Sequence, residues 1–202
     1  MRFKEKHYRF VKKELLYVFL LFFGLFITNA QKSNWQIDPA HSTIGFSIPY
    51  FKVGEIKGIF SDYSGSFVEN EGEITAINIV IKTVSIHTNQ QKRDEHLRTN
   101  DFFGAEHYPE IKFVSSSFTK ISDKEYELKG NLTMSGITKE IILKATYKGS
   151  YVHPKFKNTR KIFTITGELL REDFKVGTNY PPAKFALGNE VSLVAGIQLI
   201  KE

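Results

Sequence analysis

Apolar and polar residues alternate with a period of two through most of this chain, and that pattern limits the fold more than any other feature. Ile44, Phe46, Ile48 and Tyr50 share one parity, with Thr43, Gly45 and Ser47 between them. Ile77, Ile79 and Ile81 form a second set, although Val80 interrupts its polar side. Tyr126, Leu128, Leu132 and Met134 alternate with Glu127, Lys129, Asn131 and Thr133. Ile141, Leu143, Ala145 and Tyr147 alternate with Lys144 and Thr146. Phe163, Ile165 and Leu169 continue the series, and Val191, Leu193, Ala195, Ile197 and Leu199 end it. Each set lines one face of a pleated strand. Helical spacing is confined to one or two turns near 91–104, where Asn100 is placed to cap a short helix over 101–105.

The punctuation agrees with strands. Ser135-Gly136 separates two alternating runs as a tight hairpin turn, and Glu71-Gly72 and Lys148-Gly149 also read as turns. The pattern predicts eight strands, at about 42–51, 56–68, 74–86, 110–119, 125–134, 138–148, 161–171 and 189–200. A short extended piece, Trp35 to Asp38, precedes them. The longest connections are 88–109, 151–161 and 173–188. The second carries Lys155, Lys157, Arg160 and Lys161 and reads as a solvated basic loop, or as an attraction for anionic lipid headgroups. The expected class is all-β. Closing eight antiparallel strands into a barrel buries every apolar face and removes the exposed edges. A barrel of that size is filled by side chains or holds one small ligand. A β-sandwich satisfies the same alternation, so parity does not separate the two.

Residues 1–30 stand apart. Arg2, Lys4, Lys6, Arg9, Lys12 and Lys13 form a basic start, and Leu15 to Ile27 is an apolar run of thirteen residues. Thr28-Asn29-Ala30 then offers small residues where a signal peptidase cuts. A spanning helix needs about 20 apolar residues, so the run is short for an anchor. The expectation is a secretory signal peptide over 1–30, one domain over 31–202, and a periplasmic location. The whole chain has 28 basic and 22 acidic side chains, and 1–30 holds six and two of them. The remainder is nearly balanced at 22 against 20. A nucleic-acid partner calls for a basic domain, and this one is not basic. With no cysteine there is no thiol nucleophile, no thiolate metal site and no disulfide, so the core must hold the domain.

The richest segment is Arg93-Asp94-Glu95-His96-Leu97-Arg98-Thr99-Asn100-Asp101-Phe102-Phe103, followed by Tyr108-Pro109, Ile111 and Phe113. Other pieces are spread along the chain in fixed order. They include Ile37-Asp38-Pro39-Ala40-His41-Ser42, Lys57-Gly58-Ile59-Phe60, Gly65-Ser66-Phe67, Ser85-Ile86-His87-Thr88 and Leu128-Lys129-Gly130-Asn131-Leu132-Thr133-Met134. Gly136-Ile137-Thr138-Lys139, Arg171-Glu172-Asp173-Phe174 and Gly188-Asn189-Glu190-Val191 complete them. In order and spacing the set resembles the YceI family, periplasmic lipocalin-like proteins associated with polyisoprenoid binding. The chain departs from the family pattern at Tyr50, where histidine is frequent, and at Lys175, where glycine is common. Pro49 points to an edge or a bulge near the end of its strand.

The resemblance implies an eight-stranded antiparallel lipocalin-like barrel with one or two short helices in the 88–109 connection. It also implies an elongated internal cavity for a lipid tail. The expected partner is a long-chain isoprenoid (a polyprenyl chain or isoprenoid quinone) or an acyl lipid. No cofactor, metal, nucleic acid or stable membrane insertion is expected, and a homodimer is allowed. Strand parity selects Phe46, Ile48, Phe67, Ile79, Ile81, Phe102, Phe103, Phe113, Leu132 and Met134 as the apolar lining. Tyr50, His96 and Arg98 are candidates for its polar mouth. Arg93 and Asp94 either join that mouth or tie the 88–109 connection to the barrel, and Arg171 with Asp173 reads as a structural pair.

Two other classes stay in view. Asp38, His41 and Ser42 are the residue types of a hydrolase triad, but triads are defined by geometry and no Gly-x-Ser-x-Gly elbow is present. His41, His87, His96 and His107 show no metal-ligand spacing. A small outer-membrane barrel also alternates. This chain ends Leu199-Ile200-Lys201-Glu202, without the terminal aromatic common in such proteins.

Overall fold

In the computed structural model, which describes residues 31–202, the alternating runs become an antiparallel sheet that closes on itself. The strands are β1 (Lys32–Ile37), β2 (Thr43–Tyr50), β3 (Gly54–Phe60), β4 (Tyr63–Asn70), β5 (Glu73–Lys82) and β6 (Ile86–His87). They continue as β7 (Glu110–Lys120), β8 (Glu125–Met134), β9 (Ile137–Val152), β10 (Thr159–Leu170) and β11 (Glu190–Lys201). Two helices, α1 (Gln91–Leu97) and α2 (Pro181–Ala186), lie in the connections. The expected signal peptide lies outside the described residues. Lys32–Glu202 is one compact unit that contains the whole closed sheet and its core.

Closure comes from β1. It pairs with β4 on one side and with the end of β11 on the other, Ile37 opposite Leu199. The ring therefore runs β1-β4-β5-β7-β8-β9-β10-β11 and back to β1, an eight-strand barrel rather than a sandwich. The piece at Trp35 to Asp38 is not a prelude, as its sequence position suggested. It belongs to the strand that closes the barrel, with Trp35 buried.

Three staves are broken. A 3-10 turn at Pro39–His41, capped by the Asp38 side chain, separates β1 from β2, which carries on along β11. The single strand expected over 56–68 breaks at Ser61-Asp62 into β3 and β4. The strand expected over 74–86 stops at Lys82, passes through a 3-10 turn and resumes as β6 against β3. Local alternation survives such breaks, which is why they do not show in the pattern. Pro49 ends up where its missing N–H costs nothing. It faces Glu55 of β3 on one side, beyond the last β11 pair on the other, and its carbonyl accepts Gly188 N–H at 2.9 Å.

The connections differ most from expectation. The helix falls at Gln91–Leu97, capped by the Gln90 side chain on Arg93 N–H, and 101–105 forms hydrogen-bonded turns with Gly104 at φ 58°. Asp94 in its first turn suits the positive end of the helix. Helix α2 had no counterpart in the periodicity, since six residues give too little repeat. Arg160 and Lys161 do not lie in a solvated loop. They open β10, where buried Arg160 pairs with Asp38 and Lys161 pairs with Glu69. Arg171 and Asp173 do not pair with each other, because Arg171 turns inward to the carbonyls of Gly188 and Val176 while Asp173 reaches Lys139.

Candidate lipid-binding cavity

One end of the barrel is solid. Trp35, Phe67, Ile77, Leu128, Ile197 and Leu199 are essentially fully buried there, and Phe118, Tyr126, Tyr147 and Phe163 pack ring against ring. The other end is hollow. A cavity of about 400 Å³ opens between the tip of the β2–β3 hairpin, the ends of β8 and β10, the start of β11, and the two long connections. That volume falls within the roughly 300–1,000 Å³ range of small-molecule sites. None of the walls comes from β1, β4, β5, β7 or β9, so the void is a pocket at one end rather than a tunnel through the barrel.

The structure brings together Phe46, Ile48, Tyr50, His96, Phe102, Phe103 and Met134 around this void. Five other residues chosen by parity stand elsewhere. Phe67 lies in the solid end, opposite Trp35. Ile79 packs with Ile37 over Gly65, where a Cβ would come within 2.6 Å of Ile37. Phe113 lies on Gly130, where a Cβ would meet its ring at 2.4 Å, and Leu132 is buried beside Phe113. Ile81, between Tyr63 and Ile111, packs on the same core. All five point inward. Parity tells which face a residue takes, not its height along the barrel. Arg98 also misses the wall. Its Nη2 donates to the Ile86 carbonyl at 3.1 Å, and Nε is buried without a partner among the described residues.

Connection residues supply the walls that the sequence did not reveal. Leu97, Val176, Tyr180 and Ala183 close the pocket from α1, from the turn after β10, and from α2. No alternation marks them, because they come from turns and short helices. Four polar groups join them: Thr88, Arg93, His96 and Arg171. Arg93 wraps the end of β6, donating from Nε to Thr88 Oγ1 at 2.7 Å and from Nη2 to the Thr88 carbonyl at 2.6 Å. Buried Asp94 accepts the Thr88 N–H at 2.8 Å and its hydroxyl at 2.5 Å. These bonds tie the connection to the barrel, the structural role open to Arg93 and Asp94. They leave Nη1 of Arg93 uncommitted, on a side chain that lines the cavity.

His96 stands edge-on to Phe102 and Tyr180, with ring centroids 5.1 and 4.7 Å away, and its Nε2 lies 2.8 Å from Asp101 Oδ2. Arg171 is buried, with Nε on Gly188 O and Nη1 on Val176 O, both at 2.9 Å. An apolar pocket with a few fixed donors can hold a hydrocarbon chain and orient a polar head against Arg93, His96 or Arg171. The Asp38, His41 and Ser42 set is not part of its wall. Asp38 and His41 do meet, at 2.9 Å, but on the far side of the barrel, and the Ser42 hydroxyl there accepts Gln198 N–H at 2.9 Å instead. Among the described residues no group of three His, Asp or Glu is placed to hold a metal ion. No helix among them is long and apolar enough to cross a membrane.

A family model described as a YceI-like domain matches residues 35–199. A UPF0312 protein of Photorhabdus laumondii is 34% identical over 180 residues, covering 87% of this chain and 90% of that protein. The crystal structure of Burkholderia cenocepacia BcnA superposes with a TM-score of 0.72 at 19% identity, covering 80% of this chain and 98% of that one. A polyisoprenoid binding domain from Saccharophagus degradans, implicated in plant cell wall breakdown, superposes at 0.65 with 12% identity, over 83% and 98% of the two chains. At those identities the two structures speak for the fold. With the family model matching nearly the whole described domain, the chain belongs to the YceI-like family.

Proposed function

We propose that this chain is an exported, periplasmic lipid-binding protein that sequesters or carries one isoprenoid chain (polyprenyl or isoprenoid quinone) or one fatty acyl chain. The observation that carries the reading is the void of about 400 Å³ with an almost wholly apolar wall at one end of an otherwise solid barrel. A folded core of this size does not leave such a space empty without cost, because protein interiors pack to crystal-like density. The ligand named for the Saccharophagus degradans domain agrees with that chemistry. The basic and apolar layout of residues 1–30 supports export.

Burial of a hydrocarbon tail contributes about 0.8 kcal/mol per methylene. Some twenty carbons give on the order of ten kcal/mol before ordering costs, which are themselves several kcal/mol. No catalytic group is needed. The solid end limits how far a tail can run, so a long chain enters by one end only. Whatever part of the chain the void cannot hold stays outside the barrel.

Native mass spectrometry of the protein released by osmotic shock tests the proposal. The expected spectrum shows the mass of residues 31–202 plus one lipid, with the lipid lost on solvent extraction and regained from a detergent-dispersed isoprenoid alcohol. A protein that stays unliganded after exposure to isoprenoid and acyl lipids would overturn it.

A further inference from the structure

We infer that the rim of the cavity is a docking surface for an anionic lipid bilayer. The inference rests on the lipid-binding reading and names where that ligand is taken up. Three apolar side chains project at the rim: Phe51, Val53 and Phe185, exposed to 55, 95 and 82%. They come from two separate segments held together by backbone bonds. Phe51 N–H donates to the Ala186 carbonyl at 2.8 Å, and Tyr50 bridges Leu187. Phe51 and Ala186 also line the cavity, so the exposed tips are continuous with its interior. The hairpin tip is built for display rather than ease. Phe51 and Lys52 both take positive φ, 48° and 62°, where glycine or asparagine is the comfortable choice.

Charge selects the partner. Lys52 lies between Phe51 and Val53, and Lys184 precedes Phe185. Both lysines are exposed, and among the described residues neither pairs with a carboxylate. The nearest acid in the hairpin, Glu55, is taken by Lys57 at 3.1 Å. Aromatic and aliphatic tips interleaved with free cations are what an anionic bilayer interface holds, the tips among the acyl chains and the cations among headgroups. A chain drawn from the bilayer would then enter the pocket without crossing water.

Flotation of residues 31–202 with vesicles of phosphatidylethanolamine, with and without phosphatidylglycerol, tests the surface. The protein is expected to float with the phosphatidylglycerol vesicles and to be released by salt. Val53→Ser with Phe185→Ser should cut the bound fraction about tenfold or more, and Lys52→Gln and Lys184→Gln about fivefold each. Neither Val53 nor Phe185 lines the cavity, so uptake of detergent-dispersed isoprenoid by that double variant should match the parent protein. Phe156→Ser is the control, since Phe156 is 60% exposed beside Lys155 and Lys157 but away from the cavity wall. No flotation by the parent protein, or flotation lost in the Phe156 variant and kept in the rim variants, overturns the inference. Flotation that persists in a protein unable to take up dispersed lipid leaves the surface standing and removes the carrier reading instead.

Discussion

Arg160 donates from Nη1 to Oδ2 of Asp38, joining the first residues of β10 to the turn after β1 across 122 positions of sequence. Both side chains are buried. The Gln198 side chain adds a bond to the same oxygen at 3.1 Å, and His41 a third at 2.9 Å. The cluster therefore ties β10, β11 and the β1–β2 corner at the point where the barrel closes. Burial alone would raise the Asp38 pKa. The bonds from His41, Gln198 and Arg160 outweigh it and hold the carboxyl below its ordinary 3.8.

Removing one partner of this cluster strands a buried charge. Arg160→Ala is expected to cost about 3–5 kcal/mol in urea unfolding. The double variant Arg160→Leu with Asp38→Leu should lose less than the sum of the single changes, because no charge is left unpaired. Because the folded pKa of Asp38 is depressed, its stabilisation is full above the ordinary value of 3.8 and is lost as pH falls through the lower folded value. Asp38→Asn should therefore flatten the acid limb of a stability–pH curve and leave its shape near neutrality unchanged. An acid limb identical to the parent's would show that another carboxylate controls it.

Glu168 and Glu190 give the opposite sign. They meet on β10 and β11, where a hydrogen bond and like charge from Glu190 raise the Glu168 pKa above 4.5. Its raised value means the pair favours folding while one carboxyl keeps its proton, and that contribution is lost as pH rises through the folded value. Glu168→Gln is expected to raise the melting temperature slightly at neutral pH and to change nothing well below pH 4.5. Equal effects at both pH values would mean that packing, not repulsion, sets the difference.

The all-β class and the inward-facing residues were legible because alternation reports a face directly, whereas the choice of a barrel over a sandwich came from the family resemblance. Closure was less legible. Trp35 and Ile37 sit in a run too short to stand out, yet they complete the ring through pairs with Lys201 and Leu199. The pocket was legible only in part for a different reason. Phe46 and Phe113 are both inward aromatics on strands, and nothing local tells that one faces a void while the other lies on Gly130. Tyr180, Ala183 and Leu187 were silent, since a wall made of turns and a six-residue helix leaves no period to read. Arg93 and Arg98 occupy one helical segment and differ only in which side of it meets the cavity.

That difference separates Arg98 from the cavity-lining His96 experimentally. Arg98→Ala removes a charged donor from the Ile86 carbonyl and is expected to cost about 1–3 kcal/mol. Lipid retained per folded molecule should stay at the parent level, because Arg98 is not in the wall. His96→Ala removes the ring that stands between Phe102 and Tyr180, and should lower retention of a lipid with a polar head more than that of a plain alkane. Both readings come from native mass spectra alongside thermal melts. Retention lost in Arg98→Ala at full stability would move the headgroup site to the other side of α1.

Gly58 controls how much of the pocket exists. It pairs with Phe46 across β2 and β3, and a Cβ there would come within 2.4 Å of the Phe46 ring and 2.9 Å of Thr88 Cγ2. Backbone hydrogen bonds fix both strands, so the ring must move, and the void is the space beside it. Gly58→Ala is therefore expected to push Phe46 into the cavity, with an overpacking cost of about 1–3 kcal/mol. The bound lipid should fall well below one per protein, and shorter chains should replace longer ones in the native mass spectrum. Pairing the change with Phe46→Leu should restore both stability and long-chain uptake, because the smaller side chain clears the added methyl. Lipid uptake unaffected by Gly58→Ala alone, in a folded protein, would mean that the chain does not pass Phe46 and that the pocket is filled from the α2 side instead.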